Sequence, residues 1–168
     1  MIISEITKAI DEFAPEYFAE DFDNVGLILG DINQKVNKAL ITLDTTEAVV
    51  NEAIQKKCGL IISFHPIIFK GLKRLTPTDY VSRAVIKAIK NDIAIYATHT
   101  ALDNIHKGTN RAMADQLELK NWEILIPKPE TIKKLTTYIP VDDTEKVREA
   151  LFAAGAGNIG NYERCSFT

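Results

Sequence analysis

Two of the three histidines in this chain stand where apolar, β-branched runs break off: His65 closes LIISFH before Pro66, and His99 closes IAIYATH before Thr100. Asp103 follows His99 closely, and Asp44 ends a third run, KALITLD. Imidazole and carboxylate are the ligand types that zinc, iron and similar divalent ions prefer. A thiolate site has no support, because Cys58 and Cys165 lie far apart without a CxxC. Taken singly, each histidine reads as a satisfied residue capping a buried strand; taken with Asp103 at one edge, His65 and His99 suggest a metal or catalytic role. Asp44 can cap the helix that follows it or support the metal-binding groups from behind. Lys70, Lys73 and Arg74 follow the His65 loop, and Lys107 stands near Asp103. Such runs attract phosphate, but more often they are solvated faces.

The elements that must position these groups alternate. Lys38 to Asp44 reads as a strand, and a helix then runs from Thr46 to Gly59 through Val49, Val50, Ala53 and Ile54. Leu60 onward is a second strand, and Asp79 to Asn91 a second helix behind a Thr78/Asp79 cap. A third strand begins at Ile93. Strand, helix, strand units are almost always right-handed with parallel strands. Asp44, His65 and the His99/Asp103 pair should therefore emerge at one carboxyl edge, where open α/β sheets bind ligands.

A helix is expected from Ser4 to Pro15, then the loop EDFDNVGLILGD. Glu20, Asp21 and Asp23 read as a solvated acidic face, and Asn24-Val25-Gly26 as a turn entering a strand. Thr109 to Leu119 looks helical, with Ala112, Met113 and Leu117 inward. Pro127 and Pro129 then punctuate the chain. From Lys133 it starts afresh, with a strand over Lys134 to Ile139, an amphipathic helix over Asp143 to Ala154, and GAGNIGNYERCSFT turning into a second strand. This half-module cannot easily bury both faces alone, so either the chain stops inside a domain or another chain completes it. The glycines of GAGNIGNY follow a helix, so they read as turn residues and not as a dinucleotide fingerprint.

With 168 residues and 46% apolar content, the chain can bury an ordinary core. A formal charge of -3 argues against nucleic acid or an anionic membrane as the principal partner. No apolar run nears the roughly 18 residues of a membrane span, and the amino terminus lacks a signal peptide's basic and apolar regions. A cytoplasmic protein with Cys58 as a packed thiol is the expectation.

Four ordered motifs, EDFDNVGLILG, LIISFHPIIFKG, YATHTALDN and GAGNIGNYERCSF, resemble the NIF-three-like family, also called GTP cyclohydrolase I type II homologues. The resemblance spans essentially the whole chain. It implies an α/β protein with a mostly parallel sheet flanked by helices, a dinuclear metal site and a toroidal homohexamer. It divides the chain into a metal-site domain, residues 1–130, and the opening of a ferredoxin-like, PII/CutA-like inserted module, residues 131–168. By position, the family's paired histidines fall on Phe64 and His65 and its metal-binding aspartate on Asp103. His99 falls beside the metals as a cleft residue or proton carrier. Up to two divalent ions, zinc, iron or manganese, would serve hydrolysis of a small molecule that the sequence does not name. Two departures weaken that site: Phe64 has no lone pair to donate, and the family's remaining histidine and glutamate ligands come from a carboxyl-terminal segment outside these residues. The competing reading is a non-catalytic assembly or regulatory protein in which the PII-like module senses a small ligand.

Overall fold

The three apolar runs form parallel strands: β2 (Ala39–Thr42), β3 (Leu60–Ser63) and β4 (Ala94–Ala97). Helices α2 (Glu47–Gln55) and α3 (Tyr80–Lys90) connect them. The first strand, β1 (Gly26–Leu29), pairs antiparallel with β4, giving a mixed sheet of order β1-β4-β3-β2. The computed structural model describes residues 1–126 and 133–167, which fall into two compact units, Met1–Trp122 and Glu123–Thr168.

The strands are short, so their burial sets their order. β3 and β4 are covered on both faces, which suits their unbroken apolar sequences, whereas β2 lies at an edge with Ile41 exposed. On one face, Val50 and Ala53 of α2 and Ala84, Val85 and Ala88 of α3 pack with Ile61, Ile93 and Ile95. On the other, Ile3, Ile6 and Ile10 of α1 (Ile3–Phe13) pack with Leu60, Ala94 and Tyr96. Cys58 is buried in the first of these clusters, as a packed thiol should be. Among the described residues no helix is long and apolar enough to cross a membrane.

Local signals explain most boundaries. Thr46 caps α2 by accepting from Val49 N at 3.2 Å, and Asp79 caps α3 by accepting from Ser82 N at 2.8 Å. The cap of α2 is thus Thr46, and Asp44 is free for another partner. α2 is shorter than expected: Lys57, with φ of 57°, takes the left-handed position after it, and Gly59 N already bonds to Lys38 O beside the sheet. A short helix α4 (His99–Asp103) leads to α5 (Thr109–Gln116). There the expected inward face is wrong: Ala112, Met113 and Leu117 are exposed and Ala114 is the buried residue. A helix of eight residues has few contacts to fix its rotation, so apolar content predicts its buried side poorly.

In the second unit α6 (Thr144–Ala153) forms as expected after a 3-10 turn at Val141–Asp143. The strand expected over Lys134 to Ile139 does not form, and the final segment closes only an isolated bridge between Ile159 and Tyr162. Alternation makes a segment compatible with a sheet, but the ladder needs a neighbouring strand, and residues 133–140 have none among the described residues. Gly155, Gly157 and Gly160 all have positive φ, in keeping with turn residues. Pro127 and Pro129, with the expected boundary at residue 130, lie outside the described residues.

Candidate metal centre

Register brings the site together. Thr42 pairs with Ser63, and Ser63 with Ala97. Two residues beyond each of these stand Asp44, His65 and His99. The ladder continues past the strand ends to hold that row: His65 N donates to Leu43 O and His99 N to Phe64 O, both at 2.9 Å.

Each imidazole is anchored by a different carboxylate. His65 Nδ1 lies 2.8 Å from Asp44 Oδ1, an exposed pair. His99 Nδ1 lies 2.8 Å from Asp23 Oδ1, and the Asp23 side chain is 0% exposed. A carboxylate only accepts, so in both rings Nδ1 is the donor and a neutral ring keeps its lone pair on Nε2. Neither Nε2 has a hydrogen-bond partner among the described residues. A histidine whose other nitrogen donates to a carboxylate is the arrangement that metal-binding histidines use.

Asp23 belongs to the loop expected to be solvated. Its carboxylate also accepts from Thr100 N at 3.1 Å, from the Thr100 hydroxyl and from Asn24 N at 2.7 Å. Burial pushes its pKa up, but the bonds from His99, Thr100 and Asn24 outweigh that and hold it below the ordinary 3.8. No local pattern marks Asp23, because its partner lies 76 residues away. The neighbouring residues brace the same rim: Asn24 Nδ2 donates to Ile68 O at 2.6 Å, and Phe22 lies 6.5 Å from Phe69 between ring centroids.

The rim is aromatic as well as imidazole-bearing. Phe64 sits edge-on to both rings, with centroids 4.9 Å from His65 and 5.5 Å from His99, and Phe69 lies 6.2 Å from His99. Asp103 ends α4, one turn beyond His99; Asn110 Nδ2 donates to its backbone carbonyl, and its carboxylate makes no hydrogen bond among the described residues. His106 keeps other company, in a tilted contact with Trp122 at 4.8 Å between ring centroids. Lys70, Lys73, Arg74 and Lys107 are exposed. Among the described residues no group of three or more His, Cys, Asp and Glu side chains is gathered closely enough to hold a metal ion. The donor chemistry of the His65 imidazole and the Asp103 carboxylate fits a divalent ion, as part of a shell that needs further ligands.

A family model described as Duf34/NIF3 (NGG1p interacting factor 3) matches residues 1–166. A protein of Bacillus subtilis called GTP cyclohydrolase 1 type 2 homolog is 41% identical over 165 residues, which make up 98% of this chain and 44% of that protein. Among solved structures, a Bacillus cereus protein related to NIF3 superposes with a TM-score of 0.74 at 40% identity, covering 99% of this chain and 46% of that one. Reduced HcgD from Methanocaldococcus jannaschii gives a TM-score of 0.67 at 30% identity, covering 72% of this chain and 48% of that one. The chain therefore spans a little under half the length of the relatives it matches.

Proposed function

The chain belongs to the Duf34/NIF3 (NGG1p interacting factor 3) family, and from that premise we propose that it carries part of a divalent-metal site for hydrolysis of a small molecule. The observation that carries this reading is the pair of adjacent imidazoles, each with Nδ1 tied to a carboxylate and Nε2 left free. His65 and Asp103 would hold zinc, iron or manganese, up to two ions in a complete site. When bound, such an ion supplies a Lewis acid that makes water a competent nucleophile near neutral pH.

The chain's own residues divide the remaining work. Asp44 fixes the His65 ring so that Nε2 is the donor atom. His99, with Nδ1 committed to Asp23, has Nε2 free to take a proton from the attacking water and return it to the leaving group. Phe64 and Phe69 place apolar edges against His99 and limit the access of bulk water to it.

The reading is tested by elemental analysis of the purified chain alongside His65→Ala and Asp103→Ala. About one metal ion per chain, lost in both variants, is the expected result. Hydrolysis that survives both exhaustive metal removal and His65→Ala would sink the mechanism.

One observation favours a second reading, a non-catalytic, self-associating assembly or regulatory protein. Phe64 occupies the space beside both imidazoles without offering a lone pair. A metal-free chain that forms a stable oligomer by sedimentation velocity would support that alternative.

A further inference from the structure

Asp23 stands in an exposed-looking acidic loop, yet its side chain is wholly covered and four donor groups converge on it: His99 Nδ1, Thr100 N, the Thr100 hydroxyl and Asn24 N. What they surround is a strained backbone. His99 has φ of 27°, a region that residues with a side chain rarely adopt. Such conformations are unfavourable and persist only where their surroundings over-determine them. Here the His99 amide is held by Phe64 O at 2.9 Å and the Thr98 amide by Ser63 O at 3.1 Å, while Asp23 holds the residue after the strain and the imidazole itself.

We propose that Asp23 is the positioning residue for His99: it ties down the strained turn through Thr100 and locks the imidazole as the Nδ1–H tautomer, leaving Nε2 as its lone-pair atom. This deepens the role of His99 as proton carrier and rests on that role for its use, but the tautomer itself needs no metal. An acid with a merely structural role could satisfy Thr100 and Asn24 and leave the ring free to choose its tautomer. Free imidazole side chains favour the Nε2–H form, so an Nδ1–H ring is a signature of the clamp.

The test is long-range proton–nitrogen correlation NMR of the 15N-labelled chain, kept metal-free with chelator, above the ordinary imidazole pKa of about 6.5. The native chain should show a pyrrole-like Nδ1 and a pyridine-like Nε2 at His99; the reverse pattern overturns the proposal. Asp23→Ala should shift the tautomer ratio toward Nε2–H by about tenfold or more, as expected for losing a hydrogen bond to a charged group. Asp23→Asn, which keeps a neutral acceptor, should restore part of the native ratio. A folded Asp23→Ala chain with an unchanged ratio overturns the proposal. Should that variant not fold, Thr100→Val decides: it removes the hydroxyl bond and should leave the Nδ1–H form intact, whereas a switch to Nε2–H would assign the lock to Thr100 and overturn the role of Asp23. Failure of the metal reading would show in metal content alone and leave these spectra as they are.

Discussion

The rings of His65 and His99 lie 5.5 Å apart with planes at 70°, at equivalent positions beyond the paired residues Ser63 and Ala97. Their proximity is a consequence of strand register. Both strands are apolar on both faces, so their register is held by the close packing of Leu60 and Ala94 in one cluster and of Ile61 and Ile95 in the other, and the same contacts enforce the meeting of the two imidazoles. The site is coupled to the core in that sense, and its remaining freedom lies in ring orientation, which Asp44 and Asp23 remove.

Asp44 offers a clean test of the metal reading because its side chain is 58% exposed and its pair with His65 is solvated. A pair of this kind contributes at most about 1 kcal/mol to folding. Asp44→Asn should therefore leave the melting temperature nearly unchanged while weakening divalent-metal affinity about 10–100-fold, the usual cost of losing a carboxylate behind a ligating histidine. Competition against a chromophoric chelator measures this. Unaltered affinity would mean that His65 is not a ligand.

Phe64→His asks the converse question. Phe64 contacts both imidazoles, so a histidine there would add a nitrogen donor beside them. Metal content per chain should rise, with a preference for ions that accept imidazole. New hydrolysis with the added metal would mark a site weakened by one substitution, and added metal without hydrolysis would mark a binding protein.

The strands and the imidazole row were legible because both depend on short-range pattern. β-branched runs ending at Asp44, His65 and His99, with helical periodicity between, admit few arrangements other than parallel neighbours sharing an edge. Asp23 was not legible: an acid beside Asn24 and Gly26 has the composition of a solvated turn, and only the return of the chain at His99 and Thr100 gives it partners. The antiparallel direction of β1 was likewise hidden, since a four-residue strand carries no sign of its neighbour's direction. Lys134 to Ile139 shows the opposite failure, in which the alternation is present but no strand among the described residues lies beside it.

Acid sensitivity should arise in part at α3. Asp79 accepts from the amide of Ser82 and, at 2.9 Å, from its hydroxyl, and these two bonds hold its pKa below the ordinary 3.8. The unfolded chain therefore takes up a proton at higher pH than the folded one. The contribution of the cap is complete above the unfolded value and is lost as pH falls through the depressed folded value. Asp79→Ala should lower stability at neutral pH and flatten the decline below about pH 4. Denaturant melts across that range would reveal it; parallel curves for native and variant chains would remove Asp79 from the account.

Gly30 carries a steric requirement that can be separated from general loop tolerance. It follows β1 with φ of 112°, and a Cβ there would come within 2.5 Å of Ala94 Cβ and 2.9 Å of its Cα. Ala94 is fully buried in β4, enclosed by the packing of α1 on the sheet, so neither partner can yield without moving backbone. Gly30→Ala should therefore cost at least about 1–3 kcal/mol from the backbone conformation alone. Gly71 provides the control: its φ is not in the positive range and a Cβ would meet nothing within 4 Å, so Gly71→Ala should stay within about 0.5 kcal/mol of the native chain. Equal melting temperatures for the two variants would mean that β1 does not approach β4 as closely as this geometry requires. A large loss confined to Gly30→Ala would tie the strand that follows the Asp23 loop to β4, the strand that leads to His99.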